Sequence, residues 1–299
     1  MKVDWRDVFP AVTTQFKSDL SLDLDATAAH LEALIQSRVA GLVMLGSLGE
    51  NSALSREEKK EVVRCAISTS AGRVPVLSGV AELSTGAACE WVKDLEGLGA
   101  QGAMVMPCMA FRPDHDETLA HYRTVARSTS LPLIVYNNPI SYHADVTPPM
   151  FAELASEANL VAIKESSGDV RRITDIINEV GNRYVLFAGV DDLALEAAFL
   201  GADGWIAGIG LAFPRENQYL WDLAMAGKWE RAREIYRWYT PLLHLDVGGK
   251  FVQNIKLAIQ ETGLGREYVR LPRLALSGSD RERVLDIIRK GIEHRPALD

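Results

Sequence analysis

The chain has 299 residues, 47% of them hydrophobic and 24% charged, enough to bury a large core without a disulfide or a structural metal. Its 32 basic and 40 acidic residues give a net charge of −8, which argues against nucleic-acid and anionic-membrane partners, since both demand a basic patch. Three cysteines, Cys65, Cys89 and Cys108, make neither a CxxC pair nor an even framework, so a reducing, cytoplasmic setting is expected.

The N-terminal stretch MKVDWRDVF carries Asp4 and Asp7 and does not read as a signal peptide; no apolar run approaches the ~18 residues of a membrane span. Short apolar runs then recur, starting near residues 8, 42, 74, 102, 132, 160, 184 and 204. Continuous apolar runs suit strands buried on both faces of a parallel sheet. The segments between them carry helical periodicity. LDATAAHLEALIQSR follows the first run, and SREEKKEVVRCAIS follows the second, opening with Ser55 and with Glu58 three residues on, a helix-start signature. Gly99 and Gly201 each precede a run and read as helix stops. Eight such units without a dinucleotide-binding glycine fingerprint predict an α/β fold, a (β/α)8 TIM barrel over residues 1–228. Residues 229–299 predict a C-terminal helical domain with helices near 230–245, 249–262 and 280–292. Trp221, Trp229, Tyr236, Trp238 and Tyr239 cluster at the junction, as core or as a contact between copies of a homo-oligomer.

In such a barrel the chemistry sits where strands end. The polar residues closing the runs are Thr13 and Thr14, Ser47 in GSLGEN, Tyr136 and Asn137 in VYNNP, Lys164 and Glu165 in VAIKES, and Asp191 in AGVDD; Gly208 and Gly210 lie in AGIG. Ser47 sits in a glycine-flanked turn, either an ordinary loop or one whose amides approach a small anion. Tyr136 ends its strand 28 residues before Lys164 ends the next. Adjacent strands lie ~4.8 Å apart, so the phenol can exchange protons beside the amine; alternatively it packs at the barrel mouth. Lys164 follows Leu160–Ile163, an apolar run. Buried there, its amine is driven toward the neutral, nucleophilic form; the other reading pairs it with Glu165 or Glu50 at the rim. Cys108 ends the fourth run without a nearby base and reads as a buried small residue. Asp191 reads as a cap of the following helix. The six histidines show no metal spacing, and neither a Walker loop nor a GxSxG elbow is present, so no metal and no cofactor are expected.

These residues carry a resemblance. AVTTQF (11–16), GSLGENSALSREEK (46–59), LPLIVYNNP (131–139), LVAIKESSGD (160–169) and GADGWIAGIGLAFP (201–214) resemble the dihydrodipicolinate synthase / N-acetylneuraminate lyase family. The resemblance implies a class I, lysine Schiff-base lyase on a pyruvate-like 2-oxo acid, in a barrel that is commonly a homotetramer. Carried over, Lys164 forms the Schiff base, Tyr136 linked to Ser47 moves protons, Ser47 and the Leu48 amide bind the carboxylate, and Gly208 and Ile209 line the site. The chain also departs from the pattern. Synthases of the family usually read YNVPxRT, and Ser141 stands where that arginine would be. A tyrosine pair usually follows the fourth-strand proline; here Cys108 and Met109 do, and Leu48 replaces a threonine. The departures favour a catabolic member: a dehydratase, deaminase or aldolase, resembling pyrroline-4-hydroxy-2-carboxylate deaminase or a 2-keto-3-deoxy sugar acid lyase, with Tyr142 and His143 at the distal substrate end. The alternatives are dihydrodipicolinate synthase proper and a non-catalytic 2-oxo acid binder.

Overall fold

Each apolar run becomes a buried parallel strand: β1 (Asp7–Val8), β2 (Leu42–Met44), β3 (Val76–Val80), β4 (Gly102–Val105), β5 (Leu133–Asn137), β6 (Leu160–Glu165), β7 (Val185–Ala188) and β8 (Gly204–Trp205). The computed structural model describes residues 3–298. The strands pair in the order β1-β8-β7-β6-β5-β4-β3-β2. The chain after β1 continues the ladder, with Phe9 N donating to Trp205 O (2.8 Å) and Ala11 N to Ala207 O (2.8 Å). A parallel bridge between Ala11 and Val43 then joins this segment to β2 and closes the sheet into the expected (β/α)8 barrel.

The intervening helices start where their capping chemistry predicts. Ser55 and Glu58 form a reciprocal capping box at the head of helix Arg56–Ser70, satisfying two amides that the helix itself leaves unpaired. Gly99 ends helix Thr85–Leu98 with φ 85°, a left-handed cap that a side chain would strain. The tail folds as helices Trp229–Leu243, Phe251–Glu261 and Gly278–Glu293, close to the expected bounds. Trp221 and Tyr239 are fully buried, so this part of the aromatic cluster is core. Trp229 and Tyr236 instead flank an open groove beside the exposed Phe199. No helix among the described residues is long and apolar enough to cross a membrane.

Candidate active site

The register of β5 against β6 decides the centre of the site. Tyr136 pairs with Lys164, and Asn137 with Glu165, so the phenol and the amine are lateral neighbours at the strand ends. Lys164 retains 7% of its exposure. Its Nζ lies 4.4 Å from the Tyr136 ring centroid. Among the described residues it joins no hydrogen bond or ion pair. Glu165 is engaged elsewhere: its carboxylate accepts from Asn137 Nδ2 (2.9 Å) and Ser167 N (2.6 Å). Glu50 is also taken, by Lys256 at 2.6 Å. Both rim pairings considered for Lys164 are therefore absent. Burial lowers the Lys164 pKa below the ordinary lysine value, while Asp246, Tyr142 and Asp191 pull the other way. Gly189 makes room for this side chain, since a methyl group there would lie 2.8 Å from Lys164 Cγ.

Ser47 is not joined to Tyr136 as expected. Its hydroxyl hydrogen-bonds the Tyr142 hydroxyl, and the Tyr142 ring stands edge-on to Tyr136 with centroids 5.7 Å apart. Tyr136 OH instead accepts from Asn138 Nδ2 (3.0 Å). The reason is local. Asn138 caps the short helix Pro139–Tyr142, and that single turn swings Tyr142 back over the barrel mouth, between the serine and the other phenol. Burial raises the pKa of both tyrosines, so both hydroxyls keep their protons at neutral pH. His143, expected beside Tyr142, is exposed in the left-handed position that ends this helix. Ser141, in the place of the family arginine, is likewise exposed.

The 46–50 turn is shaped by two residues with positive φ, Leu45 (54°) and Glu50 (52°). Gly49 is the glycine the turn requires: a methyl group there would lie 2.8 Å from the Leu45 backbone, whereas Gly46 has room for one. Thr14 Oγ1 ties the turn by donating to Gly49 O (2.7 Å). Among the described residues the amides of Ser47 and Leu48 donate to no protein acceptor, which leaves both for an anion.

Asp191 corrects a second expectation. It does not cap the following helix; it accepts from Trp205 Nε1 (2.9 Å), Gly208 N (3.0 Å) and Ile209 N (2.7 Å). The Gly208 and Ile209 amides are thus engaged by Asp191. Burial pushes the Asp191 pKa up to about 6, against the pull of these donors. Cys108 is half-buried rather than buried.

Two participants come from the tail, where no motif announced them. Lys256, with no exposed surface, donates to Glu50 Oε1 (2.6 Å) and Tyr268 O (2.6 Å) and so holds the end of the 46–50 turn. Asp246 reaches the far side of Gly208, where a methyl group would lie 2.7 Å from its Cγ. Among the described residues no group of three or more His, Cys, Asp or Glu side chains is placed to hold a metal.

The chain matches the dihydrodipicolinate synthetase family over residues 4–291. It is 34% identical to the 4-hydroxy-tetrahydrodipicolinate synthase of Archaeoglobus fulgidus, over 94% of this chain and 96% of that protein. It is also 34% identical to the synthase of the same name from Xanthomonas campestris pv. campestris, over 98% and 92%. Among solved structures, the 4-hydroxy-tetrahydrodipicolinate synthase of Methylacidiphilum fumariolicum superposes with a TM-score of 0.93 at 27% identity, covering 97% of both chains. The dihydrodipicolinate synthase of Acinetobacter baumannii, complexed with pyruvate, superposes with a TM-score of 0.92 at 27% identity, over 96% of this chain and 98% of that one. With this likeness running the length of the barrel and its tail, the chain belongs to the dihydrodipicolinate synthetase family and is a class I, lysine Schiff-base lyase of it.

Proposed function

We propose that Lys164 is the Schiff-base lysine and that the substrate is a pyruvate-like 2-oxo acid or its cyclic imine. The observation that carries this reading is the Lys164 amine itself: buried, unpaired among the described residues, and 4.4 Å above the Tyr136 ring. Desolvation favours the neutral amine, and a neutral amine adds to a carbonyl. The substrate carboxylate takes the amides of Ser47 and Leu48, while the amine adds to C2 and water leaves. The resulting iminium draws electrons from C3, so a C3 proton departs and an enamine forms. Protons pass through Tyr136, Tyr142 and Ser47, a chain supported by the Ser47–Tyr142 bond and the edge-on approach of the two rings. The enamine then expels a group from C4, as water or amine; in the aldolase alternative the iminium itself accepts the C3–C4 bond pair as the C4 hydroxyl loses its proton, giving an enamine and an aldehyde.

The distal pocket supports the catabolic outcome. Ser141 supplies no cation for a second carboxylate, and Cys108 and Met109 supply no phenol. Dihydrodipicolinate synthase activity is the second reading, favoured by the names of the relatives. Borohydride reduction with a panel of 2-oxo acids and cyclic imino acids, followed by mass spectrometry and product analysis, tests both. A substrate-sized mass gain at Lys164, with release of water or ammonia from a 4-substituted substrate, supports the proposal. No adduct at Lys164 refutes it, and efficient condensation of pyruvate with aspartate semialdehyde establishes the synthase reading instead. We further infer a cytoplasmic homo-oligomer, supported by the exposed Phe199 beside Trp229 and Tyr236; a monomer in analytical ultracentrifugation overturns the oligomer.

A further inference from the structure

One residue, Asn138, is bonded to both phenol-bearing segments of the site. Its Oδ1 accepts from Ser141 N (3.0 Å) and its carbonyl oxygen from Tyr142 N (3.0 Å), which fixes the short helical turn that carries Tyr142. The other end of the same side chain, Nδ2, donates to Tyr136 OH at 3.0 Å. The sense of this last bond follows from the first. A backbone N–H can only donate, so the atom facing Ser141 N is the amide oxygen, and the atom facing Tyr136 is the amide nitrogen, which again can only donate. The Tyr136 oxygen therefore accepts here, and the phenol's own proton points away from Asn138.

The helical turn alone does not require this arrangement. Serine, threonine and aspartate cap a helix about as well as asparagine. Among these four, only asparagine can accept at the cap with one end of its side chain and donate with the other. What the amide adds beyond the cap is a fixed N–H aimed at the phenol oxygen of Tyr136, the residue whose partner across the strand register is Lys164. Burial raises the Tyr136 pKa, and Asn138 and then Ser166 pull it back, as an N–H facing an ionisable oxygen does.

We propose that Asn138 is a positioning residue for proton transfer at Lys164: its Nδ2 keeps Tyr136 turned as a proton donor and then holds the phenolate that the donation leaves. The inference rests on the roles given to Lys164 and Tyr136 above. The amine adds to C2 of the 2-oxo acid, and one of its protons moves to the former carbonyl oxygen, giving a carbinolamine. The Tyr136 proton passes to that hydroxyl, the C2–O bond breaks, water leaves, and the nitrogen lone pair closes the C2=N bond. Amine, phenol and ketone thus become iminium cation, phenolate anion and water, with no change in total charge. The phenolate then takes the C3 proton, which restores the phenol and gives the enamine. In both steps charge on the Tyr136 oxygen appears or disappears beside a donor already in place, so nothing has to reorganise around it.

The test uses pyruvate as probe and the full-length chain, and follows borohydride trapping at Lys164 together with deuterium exchange at pyruvate C3. Asn138→Ser keeps the cap but is too short to reach Tyr136; both rates should fall about tenfold, with KM and melting temperature near wild type. Asn138→Asp also keeps the cap but turns an acceptor on the phenol and reverses the bond; its rates should fall about 100-fold at pH 7. A carboxyl with a pKa near 3.9 regains a donor on protonation, so that deficit should narrow several-fold as pH is lowered to about 5. Wild-type rates in folded Asn138→Ser and Asn138→Asp overturn the proposal, as does an Asn138→Asp deficit that is the same at both pH values, the mark of a structural role. Should both variants fail to fold, NMR decides: the Asn138 side-chain amide signal should shift in Tyr136→Phe, and an unmoved signal overturns the proposal. Wild type that is not trapped removes the Lys164 reading, and wild-type rates in Tyr136→Phe remove the Tyr136 role, each taking this proposal with it; wild-type rates in the Asn138 variants remove this proposal alone.

Discussion

Lys164 illustrates how far a single residue can be read. A cation closing an apolar strand must be paired or must lose its charge, and the structure removes the first option because Glu50 and Glu165 have other partners. The sign of the pH effect follows. With the folded pKa below the ordinary lysine value, the neutral amine predominates above that lowered pKa. The rising limb of the trapping rate against pH is therefore expected to level off below the ordinary lysine range, near 10.4; a limb still rising above it would contradict the burial argument. Tyr142 was legible as a pocket residue but not as the partner of Ser47, because the helical turn capped by Asn138 sets where its hydroxyl points. Tyr142→Phe is expected to lower kcat about 100-fold with little change in KM, since proton relay acts on the chemical step more than on binding. Steady-state kinetics on the best substrate of the panel checks this, and an unchanged kcat would remove Tyr142 from the relay.

At the scale of elements, strand register and turn geometry do the positioning. Tyr136 and Lys164 meet because β5 and β6 pair in one register, and a slip by one residue would turn their side chains to opposite faces of the sheet. The turn after β2 depends on Gly49 in the same way. Gly49→Ala is expected to cost about 1–3 kcal/mol in urea denaturation and to abolish 2-oxo acid binding, because its methyl would meet the Leu45 backbone 2.8 Å away; Gly46→Ala, with room for its methyl, should do neither. A second element contact sets acid stability. His30, on helix Leu24–Gln36, is buried with its Nε2 2.9 Å from Leu211 O, and burial lowers its pKa to about 4. The unfolded chain takes up this proton near pH 6.5, and the folded chain only near pH 4, so stability falls as pH drops through that window. The loss from this residue should be about 2 kcal/mol between pH 7 and pH 5. His30→Gln, which keeps an N–H donor without titrating, should flatten that part of the denaturation profile; an unchanged slope would assign it to other groups.

For the molecule as a whole, the barrel and its tail are mechanically one site. Lys256 meets Glu50 with both side chains wholly buried, 206 positions apart in the chain. Lys256→Met leaves the Glu50 carboxylate buried without an opposing charge, with the Arg270 amide as its remaining donor, and is expected to destabilise by about 3–5 kcal/mol, whereas the double variant Lys256→Met/Glu50→Gln should lose markedly less; thermal melts of the two proteins decide it, and equal losses would mean that the pair is not coupled. The barrel, its eight strands, the helices between them and the candidates Lys164, Tyr136 and Ser47 were all readable from the amino-acid order. Buried parallel strands, capped helices and a lysine closing an apolar run are local patterns, and local patterns survive in one dimension. What only the tertiary structure decided lies in contacts between distant segments: the Ser47–Tyr142 bond, the use of Asp191 on the Gly208 and Ile209 amides, and the arrival of Asp246 and Lys256 from the tail. Asp246 sits in an unremarkable polar turn, HLDVGG, and nothing nearby in sequence distinguishes it from a solvated carboxylate. Its place beside Gly208 is set by the packing of the tail against the turn after β8, and such a contact between distant segments belongs to the packed chain rather than to any stretch of it.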